Sequence, residues 1–270
     1  MRLTPLVLAV ALLAVSCGDD DGSPDDGPAP PERVAAAVTA LGEANTGHFA
    51  SETAGSDGAI YSRIEGDYRL GPPAARATVT RDDAEGDPRD TEVLAIGRDA
   101  WSRDAGSCWI HHDVSDLFDD GLLVRNGDTY APAPVAVLGL GRGVYATDAD
   151  QVTGTSDLST VLSVVDLALP SLLGLDPAAD QRVPITYTLD DGVLVGWKVF
   201  VRDAVERLRE LSESDAVGDV RISAMAALGG TITTRLTALG GEVDFAPPPS
   251  DEVVEYVADS AELSQRLAAC

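Results

Sequence analysis

Lysine is all but missing from this chain. Lys198 stands alone among 19 basic residues, against 45 acidic ones, and the formal net charge is −26. A field of that sign argues against nucleic acid as a partner and against general attraction to anionic lipid headgroups. Histidine is equally scarce, with three residues, and so is cysteine, with Cys17, Cys108 and Cys270. The chain has no G-x-S-x-G elbow, no H-E-x-x-H, no C-x-x-C and no P-loop, so it offers no assembled nucleophile, zinc or phosphate-transfer signature. No catalytic residue, metal or cofactor is expected. His111-His112-Asp113 is the one cluster that invites a metal reading. Adjacent strand residues point to opposite faces, so the two imidazoles do not converge on one ion. The acidic pairs Asp82-Asp83, Asp119-Asp120 and Asp190-Asp191 fall in turns, where Asp bonds its own backbone. There is also no apolar run of the roughly 20 residues that a membrane-spanning helix needs.

The N-terminus does carry a shorter one. Arg2 precedes an apolar run from Leu6 to Val15, which ends Leu13-Ala14-Val15-Ser16-Cys17. One cation, about ten apolar residues and then small residues is the layout of an export signal. The last five residues resemble a bacterial lipobox, in which the cysteine thiol receives a diacylglycerol and becomes the first mature residue. That implies a signal peptide over residues 1–16 and acylation, palmitate among the chains, at Cys17. The departures are Ala14, where leucine is usual, and the single cation. Each buried acyl methylene contributes about 0.8 kcal/mol, so two or three chains hold a protein at a membrane. Residues 17–31 then read as an acidic Pro/Gly linker with no apolar periodicity, too polar to fold. Its Asp19-Asp20-Asp21 run does not make an EF-hand, because Pro24 and Pro30 occupy the Gly and Glu positions. Fully extended, it reaches at most ~50 Å.

Signal and linker removed, about 240 residues remain, suited to one large domain. With Cys17 acylated, Cys108 and Cys270 are an even pair in an oxidising compartment. They predict either a disulfide closing a very long loop or two free thiols. Val34, Val38 and Leu41 fall at helical spacing within Glu32–Asn45. Ile60, Ile64, Tyr68 and Leu70 alternate with Arg63, Glu65, Asp67 and Arg69, the pattern of a half-buried strand. Ala75, Ala77 and Val79 repeat it, and short strands follow to His112. Pro132–Val144 is expected as a short helix. Asp157–Leu175 is the most apolar stretch of the mature chain, with Leu158, Val161, Leu162, Val165, Leu169 and Leu172 near one helical face. It is either plain core or the wall of a cavity. Strands resume at Val183–Leu189 and Val193–Val201 around the turn Asp190-Asp191-Gly192, with Val193, Val195, Trp197, Val199 and Val201 assigned to one face. Ala204–Ser214 reads as a charged amphipathic helix, Val220–Ala226, Ile232–Ala238 and Glu242–Phe245 as strands, and residues 251–270 as a C-terminal helix. The reading is one α+β domain over residues 32–250, a large antiparallel sheet with helices on one face.

The order of these elements resembles the LppX/LprAFG family of lipoproteins and, more broadly, the LolA-like half-barrel. The resemblance is carried by Val183-Pro184-Ile185-Thr186-Tyr187-Thr188-Leu189-Asp190-Asp191-Gly192. It is carried also by Asp99-Ala100-Trp101-Ser102 and by the ending Gly241-Glu242-Val243-Asp244-Phe245-Ala246-Pro247-Pro248. It spans roughly residues 1–250 and departs at Asp203–Asp215, Cys108 and the C-terminal segment. It implies a curved antiparallel sheet, helices on its concave face, and an apolar cavity between them that carries a lipid or acylated molecule. The cavity-lining residues expected on this basis are Leu138, Leu140, Leu158, Val161, Leu162, Val165, Leu169, Leu172, Val195 and Trp197. The expected protein is a monomer at the cell membrane, held by its acyl anchor on the extracytoplasmic side. The alternative on the same fold is an envelope sensor or protein-interaction module without ligand transport, because fold alone does not fix function.

Overall fold

The computed structural model describes residues 30–82, 88–113, 123–126, 129–132, 142–148, 150–158, 161, 182–211 and 229–270. Alternation between apolar and polar residues decides most of it. Strand β1 (Thr46–Ala54) turns Phe49, Ser51 and Thr53 inward and His48, Ala50 and Glu52 outward. It pairs antiparallel with β2 (Ile60–Arg69), whose Ile64 and Tyr68 share the inward face. The ladder continues through β3 (Ala74–Asp82), β4 (Pro88–Ile96), β5 (Asp99–Asp104) and β6 (Trp109–Asp113). On the other side β1 pairs with β13 (Thr231–Thr237), and the ladder runs on through β12 (Val193–Phe200), β11 (Arg182–Asp190), β10 (Gln151–Asp157) and β9 (Arg142–Asp148). With β14 (Val253–Glu255) added beside β6, twelve strands form one open sheet. A sheet this broad twists and curls rather than lying flat, which gives an open half-barrel. A separate hairpin, β7 (Leu123–Asn126) and β8 (Thr129–Pro132), places Leu123 in the core.

Helix α1 (Pro30–Ala44) buries Val34, Ala37 and Leu41, spaced three and four apart, and packs on β12 and β9. Helix α2 (Val201–Leu211) starts where β12 ends and buries Val201, Ala204, Val205 and Leu208 against β11 and β12. These faces, Leu158 and Val161, and the inward residues of β1–β4 and β10–β13 make one continuous core. Each large side chain so buried contributes roughly 1.5–3 kcal/mol.

Several expectations from sequence are corrected. Val195 does not share a face with Trp197 and Val199. Thr188 pairs with Gly196 and Leu189 with Leu194, so a bulge leaves Val195 as the extra residue. Leu194 takes the inward place and is fully buried, while Val195 is half-buried. The C-terminal segment is not one helix. A short 3₁₀ turn at Ser250–Glu252 leads to β14, which lies parallel to β6, and only Ser260–Ala268 forms α3. The sheet is therefore mixed rather than wholly antiparallel. Residues 242–245 are not a strand. Arg142–Asp148 is a strand where the helix expected over 132–144 ends, and the expected strand 220–226 lies outside the described residues.

The C-terminal segment covers the outer face of the β4–β6 end. Leu94, Trp101 and Trp109 form a second cluster there, under Ile96, Phe245 and Val253. A disulfide joins Cys108 to Cys270 with Cα atoms 6.1 Å apart, an ordinary span for such a bridge.

Candidate ligand site on the helix-covered face

Of the ten residues expected to line a cavity, Leu158, Val161 and Trp197 come together on the helix-covered face, each at most 1% exposed. Val195 sits at the bulge and borders a groove on the opposite face. Leu138, Leu140, Leu162, Val165, Leu169, Leu172 and the acylation candidate Cys17 lie outside the described residues.

The inward face of the central strands is apolar but not wholly so. Ser51 Oγ and Thr234 Oγ1 meet across the β1–β13 pair at 2.7 Å and satisfy each other. Two other hydroxyls on this face are not satisfied. Thr53 Oγ1, on β1, and the Tyr68 hydroxyl, on β2, are buried without a hydrogen-bond partner among the described residues. Tyr68 lies in the space that Gly47 leaves open, since a Cβ there would stand 2.6 Å from the phenol oxygen. Burial pushes the Tyr68 phenol far above its usual pKa, so it stays a neutral donor. An unsatisfied buried hydroxyl costs about 1–3 kcal/mol. An apolar surface holding two unmet hydroxyls suits an amphiphile: acyl chains gain about 25 cal/mol per Å2 buried, and an ester or hydroxyl oxygen answers the phenol. Sequence alternation placed Tyr68 inward, but nothing in it could tell that the hydroxyl finds no partner.

The adjacent histidines His111 and His112 turn to opposite faces of the sheet. His111 faces outward, its ring stacked on Trp101 at 5.1 Å. Its Nδ1 lies 2.9 Å from Glu255 and its Nε2 3.2 Å from Asp99. Burial lowers its pKa, but the hydrogen bonds and charges of Glu255 and Asp99 outweigh that and raise it. His112 faces the other way, against Tyr256, with ring centres 4.9 Å apart. Burial lowers its pKa, and neighbouring His111 adds to the effect. Among the described residues no three His, Cys, Asp or Glu side chains are poised around one ion, and no helix is long and apolar enough to cross a membrane.

No protein-family model matches the sequence, and no curated protein matches it. Solved structures do. The Mycobacterium tuberculosis lipoprotein LppX is 17% identical with a TM-score of 0.41, covering 80% of this chain and 99% of its own. LprF from Mycobacterium bovis is 15% identical with a TM-score of 0.44, covering 82% of this chain and 97% of its own.

Proposed function

We propose that this chain is a membrane-anchored extracytoplasmic lipoprotein, acylated at Cys17, whose folded body binds a lipid or acylated molecule between the sheet and its helices. The observation that carries the reading is that the buried hydroxyls of Thr53 and Tyr68, on a mainly apolar interior face, have no hydrogen-bond partner among the described residues. A core under no demand but stability has no use for them, whereas a bound ester or hydroxyl would satisfy them. The anchor rests on the lipobox-like Leu13–Cys17 and the acidic linker behind it. Tethering keeps a carrier beside its membrane and raises the effective concentration at which it meets cargo.

Two measurements test it. The full-length chain, made in a host that acylates lipoproteins, is expected in the membrane fraction, and Cys17→Ala in the soluble fraction. Native mass spectrometry of the same material is expected to show an amphiphile that dissociates on activation. A body that never co-purifies with lipid and takes up none from vesicles would leave the interaction-module reading in its place.

A further inference from the structure

The outer face of the sheet carries both ion-paired and unpaired cations. Between β1 and β5 three arginines are ion-paired, while Arg69 donates to the Pro72 carbonyl and lies over the Phe245 ring. Arg63 meets Glu52 and Glu65, Arg76 meets Asp67, and Arg103 meets Glu92. Across β11–β13 the pattern breaks. Lys198 and Arg235 both face outward there, and neither is ion-paired with any described residue. Lys198 makes only a cation–π contact with Phe200, 4.9 Å from its ring centre. In a chain of net charge −26, with Glu52 one strand away and already engaged by Arg63, two adjacent cations that pair with no described carboxylate run against the local supply of acid.

Register sets these two side by side. Arg235 pairs with Gly196, and Lys198 with Thr233, so the cations are diagonal neighbours on one face. Such diagonals span roughly 7–8 Å between backbones, within reach of long side chains. The floor between them is kept low by Gly196 and by Ala50, the partners of Arg235 on its two sides. Gly196 is held small, because a Cβ there would stand 2.5 Å from the Thr234 carbonyl oxygen. The result is a groove of about 470 Å3 whose walls include Thr186, Thr188, Thr233 and Thr237, with Gln151 and Asp190 at its β10–β11 side.

We infer that this groove is a binding site for a phosphate ester, held by Lys198 and Arg235 and hydrogen-bonded by the threonine hydroxyls around them. Arginine offers a planar fork that matches a phosphate, and lysine adds a mobile point charge. The site is on the face opposite the apolar interior and does not depend on what that interior carries. Asp190 disfavours a fully charged phosphate at its own end, so the phosphoryl group sits toward Lys198 and the uncharged remainder of the ligand toward Gln151 and Thr188. The phosphate could arrive as a soluble ester or as a lipid headgroup.

Lys198 is the only lysine in the chain, which makes it a single reporter. Reductive 13C-methylation keeps its charge, and its methyl resonance can be followed in the full-length protein in neutral detergent. Titration with inorganic phosphate and glycerol phosphate should shift it saturably. Arg235→Gln should weaken that response about tenfold, by loss of a charge-assisted hydrogen bond. Arg76→Gln removes an outward cation on β3, away from the groove and paired only with Asp67 among the described residues, and should leave the response unchanged. A parallel titration with phosphatidylcholine vesicles, with and without phosphatidylglycerol, separates the sources. A response to soluble phosphate alone assigns a soluble ester, and a response to the anionic vesicles assigns a headgroup. No shift with any probe would overturn the site, and so would equal weakening by Arg76→Gln and Arg235→Gln.

Discussion

Replacing Tyr68 by Phe tests the ligand reading through its sign. The phenol is fully buried, its oxygen has no partner among the described residues, and burial raises its pKa. Phenylalanine keeps the ring, its contacts and its place beside Gly47 while removing the oxygen. In protein stripped of lipid, the variant should therefore be more stable, by about 1–2 kcal/mol, the cost of an unmet buried hydroxyl. For a chain of this length that raises the thermal midpoint by about 2–4 °C per kcal/mol. In the loaded protein the sign reverses, because a ligand oxygen that accepted from Tyr68 loses its donor. A neutral hydrogen bond is worth about 0.5–1.5 kcal/mol, so affinity should fall about two- to tenfold. Urea denaturation of delipidated protein gives the first number, and displacement of a fluorescent fatty acid gives the second. Destabilisation of the delipidated variant by 1 kcal/mol or more would show that the hydroxyl is satisfied, and the ligand argument built on it would fail.

Thr53→Val should behave in the same way, and its effect on delipidated protein should add to that of Tyr68→Phe, the two sitting on different strands without shared partners. Paired Cys108→Ser and Cys270→Ser variants should lose at most about 5 kcal/mol, the chain-entropy value for a crosslink spanning 162 residues; no change in the urea midpoint would refute the bridge as a global restraint. Gly66→Ala should cost several kcal/mol or block folding, because its Cβ would collide with the Arg76 carbonyl oxygen of the paired strand; expression yield and denaturation midpoint decide. The two adjacent histidines should titrate apart by NMR, His111 above the ordinary imidazole value of 6.5 and His112 below it. By linkage His111 then favours the folded state fully below pH 6.5, an advantage lost as pH rises through its folded pKa, while the contribution of His112 is lost as pH falls. Asp99→Asn should bring His111 down, and an unchanged midpoint would discount that contact.

Local pattern carried far into this fold. Ile64 and Tyr68, Ala75, Ala77 and Val79, and Val183, Ile185, Tyr187 and Leu189 could all be put inward from alternation alone, since a half-buried strand must alternate. The turn at Asp191 and Gly192 was legible because both residues tolerate positive φ, observed at 47° and 78°. What failed depended on distant partners. The bulge at Val195 comes from registering β12 against β11, and no property of Val193–Phe200 by itself announces it. Val253-Val254-Glu255 reads as helix when taken with Ser260–Ala268, but its fate is set by the free edge of β6, more than 140 residues earlier. The candidate site was legible only in its apolar half, for the same reason: whether Tyr68 and Thr53 find partners is a property of the assembled face.

That free edge accounts for how residues 250–270 are arranged. An exposed strand edge is a template for unwanted pairing. Here β14 caps β6 with only three residues, and α3 beyond it buries none of its own. Asp259 caps α3 through the amides of Ala261 and Glu262, which shapes the helix but does not dock it. The docking comes from both sides of the cap. Phe245 and Val253 sit over Leu94, Trp101 and Trp109, and Glu255 bonds His111. The disulfide then ties the last residue to Cys108, one residue before β6 begins. A terminal segment with too little apolar surface to stay in place is thus pinned at its far end beside the strand it must protect. The bridge joins the start of the vulnerable edge, at Cys108, to the segment that covers it, at Cys270.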